Sequence, residues 1–133
     1  MIVLDASAIA DWLLQTPELG PAVAERMRAE RLPHTLDFAA VEVISALRRK
    51  LRRGELEAPR AEQALTELAA ARLRRHPVSP LAGRIWQLRY QHSAYDAAYV
   101  ALAEALDARL VTTDGRLARS HGHRAEIVDA SRD

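Results

Sequence analysis

The residues most able to do chemistry in this chain are acids that follow two apolar runs. The run at 2–4 leads directly into Asp5, and the run at 110–112 leads to Asp114. If both runs are parallel strands of one sheet, the two acids lie at the same edge, because ligand crevices form outside the carboxyl ends of strands. Two carboxylates held together repel each other unless a cation or a proton intervenes. The pattern therefore predicts a metal-dependent enzyme.

Two further acids are expected at that edge of the sheet. In a right-handed β-α-β unit, helix N-termini lie at the same edge as strand C-termini. Asp96 lies in the first turn of a predicted helix at 93–106, and Glu42 lies less than two turns into a helix predicted to begin at Asp37. A hard divalent cation can hold such acids together, and an all-oxygen ligand set selects Mg²⁺, with Mn²⁺ as a substitute, over zinc.

Each acid, taken alone, also has a purely structural explanation. Asp5 could cap the first helix, and Asp96 could be the acidic member of a capping box. Glu42 could be a solvated helix residue, and Asp114 could form a turn with Gly115. The metal hypothesis therefore depends on the convergence of all four side chains at one place.

Length and composition indicate one soluble domain spanning 1–133. The chain is 49% hydrophobic and 28% charged, which is typical of a globular protein. It contains no cysteine, so disulfides and thiolate zinc sites are excluded. No stretch approaches the roughly 20 apolar residues of a membrane span, and the N-terminus resembles no signal peptide. We expect a cytoplasmic protein without a membrane partner.

Positive charge is concentrated in the middle of the chain. Residues 43–92 contain eleven Lys and Arg against four Asp and Glu. A basic segment beside an acidic site suits an enzyme that acts on a polyanion. Arg48, Arg49, Arg52 and Arg53 share one face of a predicted helix and could form a phosphate track. They could equally be a solvated face, since cations are favoured at the end of a helix.

The order of elements predicts an α/β fold, a three-layer α/β/α sandwich around a parallel sheet of four to five strands. We expect the third helix to bury an apolar stripe that consists of Ala40, Val43, Ile44, Leu47 and Leu51. Strands are predicted at 2–5, 32–36, 109–112 and 126–128. Helices are predicted at 7–15, 18–30, 37–53, from Pro59 onward, at 80–90, 93–106 and 115–120.

Four motifs in this order resemble one known family. They are Val-Leu-Asp-Ala-Ser at 3–7, Glu-Val at 42–43 with Ala-Leu-Arg-Arg at 46–49, Tyr-Asp-Ala-Ala-Tyr-Val-Ala-Leu-Ala at 95–103, and Leu-Val-Thr-Thr-Asp-Gly-Arg-Leu at 110–117. The chain resembles PIN-domain ribonucleases, in particular the VapC-type toxins of toxin–antitoxin pairs. The resemblance covers essentially the whole chain.

The resemblance implies a Mg²⁺- or Mn²⁺-dependent endoribonuclease that is often dimeric and is inhibited by a cognate antitoxin protein. It places the family's catalytic acids at Asp5, Glu42, Asp96 and Asp114. Among these, Asp5, Asp96 and Asp114 are the expected metal ligands. It also places the two hydroxyls that support the acids at Ser7 and Thr112. The RNA substrate is expected to contact Arg48, Arg49, Arg52 and Arg116.

Two other functions remain open at this point. An aspartate-based phosphatase would also use an acid after the first strand, but it usually needs a second acid where Ser7 stands. A non-catalytic α/β binding module of the phospho-acceptor type would need an acidic pair and a lysine. Lys50 is the only lysine of the chain, and it falls in a predicted helix.

Overall fold

Five parallel strands form the centre of the structure, a computed structural model that describes residues 1–132. Their order across the sheet is β3-β2-β1-β4-β5, and all neighbours are parallel. The predicted α/β class is confirmed, with five strands. Their bounds are β1 (Ile2–Leu4), β2 (His34–Leu36), β3 (Arg74–His76), β4 (Arg109–Thr112) and β5 (Ile127–Asp129).

Helices cover both faces of this sheet. All three residues of β1 are buried, and successive side chains of a strand point to opposite faces, so both faces are covered. The first helix packs on β1 and β4, and the sixth on β1, β2 and β4. The helices are α1 (Ala6–Leu14), α2 (Leu19–Arg28), α3 (Ala39–Arg52), α4 (Ala58–Ala70), α5 (Ala82–Gln87), α6 (Ala94–Leu106) and α7 (Gly115–Ala118).

The core consists of small and branched side chains where the strands meet α1 and α6. Val3, Leu4, Leu110 and Val111 are fully buried in the two central strands. Burial of each such side chain stabilises the fold by about 1.5–3 kcal/mol. Between residues 1 and 132, no helix has the combination of length and apolar character needed to cross a bilayer.

The order of strands creates a crevice at the carboxyl end of β1. The chain proceeds from β1 to β2 and β3 on one side, and then returns to β4 on the other side of β1. Ligands of open α/β sheets bind where the direction of winding reverses in this way. Asp5 directly follows β1 at this point, and the segment after β4 carries Asp114.

One strand was not predicted, and one predicted helix is divided. Strand β3 consists of Arg74, Arg75 and His76, and both arginines are exposed at the edge of the sheet, so no apolar run marks it. The Arg75 guanidinium also donates a 3.0 Å hydrogen bond to the backbone oxygen of Leu68, near the end of α4. The helix predicted at 80–90 is a 3-10 turn, Ser79–Leu81, followed by the shorter α5.

The start of α3 and the face it buries also differ from the prediction. Asp37 is exposed, and the N-cap is Phe38, without a side-chain capping bond. The helix buries Ala39, Val43 and Leu47. Two members of the predicted stripe, Ile44 and Leu51, are instead exposed, because the helix lies at the periphery and packs mainly on α1 and α4.

Candidate active site

Asp5 both caps a helix and occupies the crevice. It is the N-cap of α1, and its Oδ1 accepts a 2.9 Å hydrogen bond from the Ala8 N–H. Ser7 Oγ also donates to Oδ1 at 2.8 Å, and Thr112 Oγ1 donates to Oδ2 at 2.5 Å. The capping explanation and the site hypothesis are therefore compatible, since one carboxylate does both.

Burial sets the protonation of Asp5. The residue is only 5% exposed, and desolvation is the main reason that its pKa is raised to about 6. The bonds from Thr112, Ala8 and Ser7 oppose this effect, whereas the nearby charge of Asp96 adds to it. A cation in the crevice would relieve the penalty that burial imposes on the ionised carboxylate.

Asp96 occupies the first turn of α6, as predicted. Ser93 is the N-cap of this helix, and its Oγ accepts a 3.2 Å hydrogen bond from the Asp96 N–H. Burial raises the pKa of Asp96, and the charge of Asp114 raises it further, while Arg116 and His92 act in the opposite direction. Asp96 therefore lies within electrostatic range of both Asp5 and Asp114.

Glu42 projects from the first turn of α3 and is half-buried. Tyr99 Oη, on α6, donates a 2.7 Å hydrogen bond to Glu42 Oε1. Burial is the main reason that the pKa of Glu42 is raised, and the charge of Asp96 contributes in the same direction. Three of the four acids thus have a pKa raised by burial and by a neighbouring carboxylate.

Asp114 is the N-cap of the short helix α7. Its Oδ1 accepts a 2.9 Å hydrogen bond from the Arg116 N–H, and its Oδ2 lies 3.4 Å from Arg116 Nη2. Its own N–H donates to Thr112 Oγ1 at 3.0 Å. Among residues 1–132, Asp5, Glu42 and Asp96 form no salt bridge with a basic side chain.

A cleft of about 650 Å³ brings most of the predicted site residues together. Arg48 and Arg52 do not line it, whereas Thr112 acts on it through its bond to Asp5. The predicted residues that line it are Asp5, Ser7, Glu42, Arg49, Asp96, Asp114 and Arg116. Lining residues that the sequence analysis did not single out for this site include Asp11, Ser45, Lys50 and Tyr95.

The donor chemistry of this cleft fits a hard cation. Its acids offer only oxygen ligands, which Mg²⁺ and Mn²⁺ prefer. Over residues 1–132, however, no group of three or more His, Cys, Asp or Glu side chains is already arranged to hold one metal ion. Mg²⁺ usually keeps several waters and binds through only one or two carboxylates. The acids of the cleft fit such a partly hydrated ion rather than a fully protein-ligated one.

A larger cavity, of about 990 Å³, lies at the opposite end of the strands, where β1, β4 and β5 begin. Many of its charged groups neutralise each other. The Met1 ammonium lies 3.2 Å from Glu30, and Arg109 lies 3.5 Å from Glu126. Because these acids are paired with cations, the smaller cleft is the better candidate for metal chemistry.

Two hydrogen-bonding residues of the site were missed from the sequence. Asp11 lies four residues after Ser7, and residues at this spacing share one face of a helix. Tyr99 lies three residues after Asp96, again on a neighbouring position of the same helix. Helical spacing from a recognised site residue was therefore the available signal in both cases.

Comparison with protein families and with known sequences gives a consistent result. The family model described as "PIN domain" matches residues 2–121. Ribonuclease VapC12 of Mycobacterium tuberculosis is 46% identical over 127 residues, which cover 96% of this chain and 97% of the relative. The similarity therefore extends over nearly the full length of both proteins.

Solved structures share the fold at much lower sequence identity. PAE2754 from Pyrobaculum aerophilum has a TM-score of 0.73 at 20% identity, covering 98% of this chain and 84% of that one. A chain of a toxin–antitoxin complex from Klebsiella pneumoniae has a TM-score of 0.65 at 17% identity, covering 98% of each. Both similarities concern the fold.

Proposed function

The chain belongs to the PIN-domain family, as a VapC-type member, and on this premise we propose that it is the toxin of a toxin–antitoxin pair. It is an endoribonuclease that hydrolyses RNA phosphodiester bonds with Mg²⁺, which Mn²⁺ can replace. The observation that carries the proposal is the cleft in which Asp5, Glu42 and Asp96 converge, none of them in a salt bridge within residues 1–132.

The acids would divide the work of holding the metal. Asp5, Asp96 and Asp114 are the proposed ligands, directly or through water, and Glu42 completes the site. When bound, the metal polarises the scissile phosphate and lowers the pKa of an attacking water. Ser7 and Thr112 hold the Asp5 carboxylate in place by the two hydroxyl bonds at 2.8 and 2.5 Å.

Basic side chains at the rim would receive the RNA. Arg49, Lys50 and Arg116 line the same cleft as the acids, so phosphates bound by them lie beside the carboxylates. A bidentate guanidinium suits phosphate oxygens. Single-stranded loops are the preferred substrate, because their backbone is accessible to a cleft of this kind. Arg48 and Arg52 would contact only RNA that extends along α3.

The proposed partners are a cognate antitoxin and a second copy of the chain. The Klebsiella pneumoniae structure with the same fold is described as a toxin–antitoxin complex, which supports a protein inhibitor here. Exposed apolar side chains on and near α3 support a homodimer. They are Val41, Ile44, Leu51 and Tyr95. We propose that the protein acts in the cytoplasm as one domain.

The proposal is tested with Asp5→Asn. The variant is expected to lose cleavage of a single-stranded RNA by more than about 100-fold, since even residues that only support metal ligands contribute 10–100-fold. Its thermal stability in metal-free buffer should be equal to or higher than that of the wild type. Asp37→Asn is the matched control, because Asp37 is exposed and does not line the cleft.

Chelation separates the competing functions. Wild-type cleavage should stop in EDTA and return with Mn²⁺, which a binding module would not show. Covalent labelling of Asp5 by a phosphate analogue would favour the phosphatase instead. An Asp5→Asn protein that unfolds would indicate a structural role for the residue, and full activity in that variant would contradict the proposal.

A further inference from the structure

Asp11 is hydrogen-bonded to the segment 112–114, which carries the proposed metal ligand Asp114. It lies on α1, one turn beyond Ser7, and lines the cleft. Thr113 Oγ1 donates a 2.7 Å hydrogen bond to Asp11 Oδ2. The backbone N–H of Thr113 donates to Ser7 Oγ at 3.2 Å. Both the side chain and the backbone of Thr113 are therefore attached to one face of α1.

The two residues beside Thr113 continue this attachment. Thr112 Oγ1 donates to Asp5 Oδ2, at the start of the same helix, and accepts from the Asp114 N–H at 3.0 Å. The segment 112–114 thus follows α1 from its N-cap to its second turn. Asp11 is the last of these attachment points along the helix, and it is partly buried, as Ser7 is.

Asp114 lies between two regular elements, so its position depends on this segment as well as on its capping of α7. Strand β4 ends at Thr112, and α7 begins only at Gly115. The Asp114 side chain is 31% exposed, and it lies close enough to Asp96 for the two charges to repel. Without a second anchor beyond Thr112, the segment could move this carboxylate away from the cleft.

We infer that Asp11 is a positioning residue, which holds the Thr113 hydroxyl and thereby keeps Asp114 beside the other acids of the cleft. This inference rests on the proposed function, because it gives Asp11 a role in the proposed metal site. The carboxylate suits the task, since an O–H···O⁻ bond is shorter and stronger than its neutral counterpart. The alternative is that Asp11 binds the metal itself.

A double-mutant cycle in the full-length protein distinguishes these roles. Asp11→Ala, Thr113→Val and the double variant are compared by Mn²⁺ affinity, measured without RNA by electron paramagnetic resonance of the free ion. Each single variant should weaken binding roughly five-fold, which is the value of one lost hydrogen bond. The double variant should bind Mn²⁺ no more weakly than either single variant, because both changes remove the same hydrogen bond.

Two conservative variants and one remote variant complete the set. Thr113→Ser keeps the hydroxyl and should stay within about two-fold of the wild type, whereas Asp11→Asn keeps only a neutral acceptor and should have an affinity between those of the wild type and Asp11→Ala. Glu62→Gln, an exposed charge change on α4, controls for the general loss of negative charge. Amide hydrogen exchange at Asp114 should become faster in Asp11→Ala and Thr113→Val, which measures the anchoring in the metal-free protein.

Each outcome bears on one of the two proposals. The inference would be overturned if the double variant lost Mn²⁺ affinity by the product of the two single losses. It would also be overturned if Asp11→Asn lost as much affinity as Asp11→Ala. Either result would mean that Asp11 acts as a ligand. Unchanged exchange at Asp114 would overturn it as well, and so would faster exchange with unchanged Mn²⁺ affinity. A wild-type protein that binds no Mn²⁺ would overturn the proposed metal site, and with it the role assigned to Asp11.

Discussion

Tyr99 Oη donates a 2.7 Å hydrogen bond to Glu42 Oε1 and so connects α6 to α3 across the cleft. The Tyr99 side chain is only 1% exposed. Burial and the adjacent Glu42 raise the pKa of its phenol above its usual range, so the group remains a donor at every physiological pH. The position of Glu42 is therefore coupled to the helix that carries Asp96.

Removal of this hydroxyl should impair the site more than the fold. In Tyr99→Phe, the half-buried carboxylate of Glu42 loses its hydrogen-bond donor. If the carboxylate stays in place, the free energy of unfolding decreases by about 1–3 kcal/mol. We expect RNA cleavage to fall roughly ten-fold, because the hydrogen bond that holds Glu42 in position is missing. Tyr90→Phe is the matched control, since Tyr90 is 81% exposed and does not line the cleft. Equal activity of the two variants would contradict the role given to the Tyr99 hydroxyl.

Stability without metal should decrease as the pH rises from 4 to 6. The pKa of Asp5 is about 6 in the fold against a model value of 3.8, so the folded state retains a proton that the unfolded state releases in this range. Because the folded state binds more protons there, the free energy of unfolding falls with pH, by about 3 kcal/mol for Asp5. Urea titrations at several pH values check this. Asp5→Asn should lose the Asp5 contribution, so its stability should fall less, or rise more, over this range than that of the wild type, and equal slopes in the two proteins would contradict the assignment.

Metal affinity should depend on pH in the opposite direction. Below pH 6, protons compete with a cation for Asp5, whose pKa is raised to that value by burial. The apparent Mn²⁺ affinity should therefore decrease as the pH falls, approaching about ten-fold per pH unit if one proton is displaced. Calorimetric titration between pH 5 and 7.5 measures this dependence. A flat profile would show that Asp5 is not a ligand.

The arginines of α3 should differ in their contribution to RNA binding. Arg49 lines the cleft, whereas Arg52 on the same helix does not. Arg49→Ala should weaken RNA binding. It should also reduce the slope of log affinity against log salt concentration by the amount that corresponds to about one phosphate contact. Arg52→Ala, which removes the same charge, should have a smaller effect. Fluorescence anisotropy with a labelled RNA and a cleavage-deficient protein, over a series of salt concentrations, separates the two.

Two glycines offer a test of the packing that supports α1. A Cβ at Gly20 would lie 2.8 Å from the Asp11 backbone oxygen and 2.9 Å from Gln15 Cα, so Gly20→Ala should destabilise the protein by about 1–3 kcal/mol. A Cβ at Gly83, in α5, would have no neighbouring atom within 4 Å. Gly83→Ala should instead stabilise it by up to about 1 kcal/mol. Thermal unfolding of both variants gives the comparison, and a neutral Gly20→Ala would mean that α2 can shift away from α1.

The sequence identified the acids of the cleft because their positions follow from chain topology. Asp5 and Asp114 come after apolar strands, and Asp96 begins a helix, so parallel pairing alone brings them to one edge. It did not identify the hydrogen bond of Asp11 to Thr113, which joins residues 102 positions apart. Bonds of that kind depend on how α1 lies against β4, which local patterns do not specify.

The same limit explains the errors in the fold. Strand β3 has two exposed arginines, and it is a strand only because β2 is available to pair with it. The arginine face of α3 was predicted from helical spacing, but spacing does not say which part of a face borders a cleft. Of Arg48, Arg49, Arg52 and Arg53, only Arg49 does so.

The arginines of β3 have a further consequence for how chains of this protein meet one another. The outer border of a sheet exposes unpaired backbone groups, and another chain can add a strand there and begin an aggregate. Here that border is only three residues long, Arg74 and Arg75 stand on it, and Arg75 is tied back to the end of α4. Pairing of two chains through this border would bring like charges together, so the arginines of β3 disfavour strand addition on this side of the sheet.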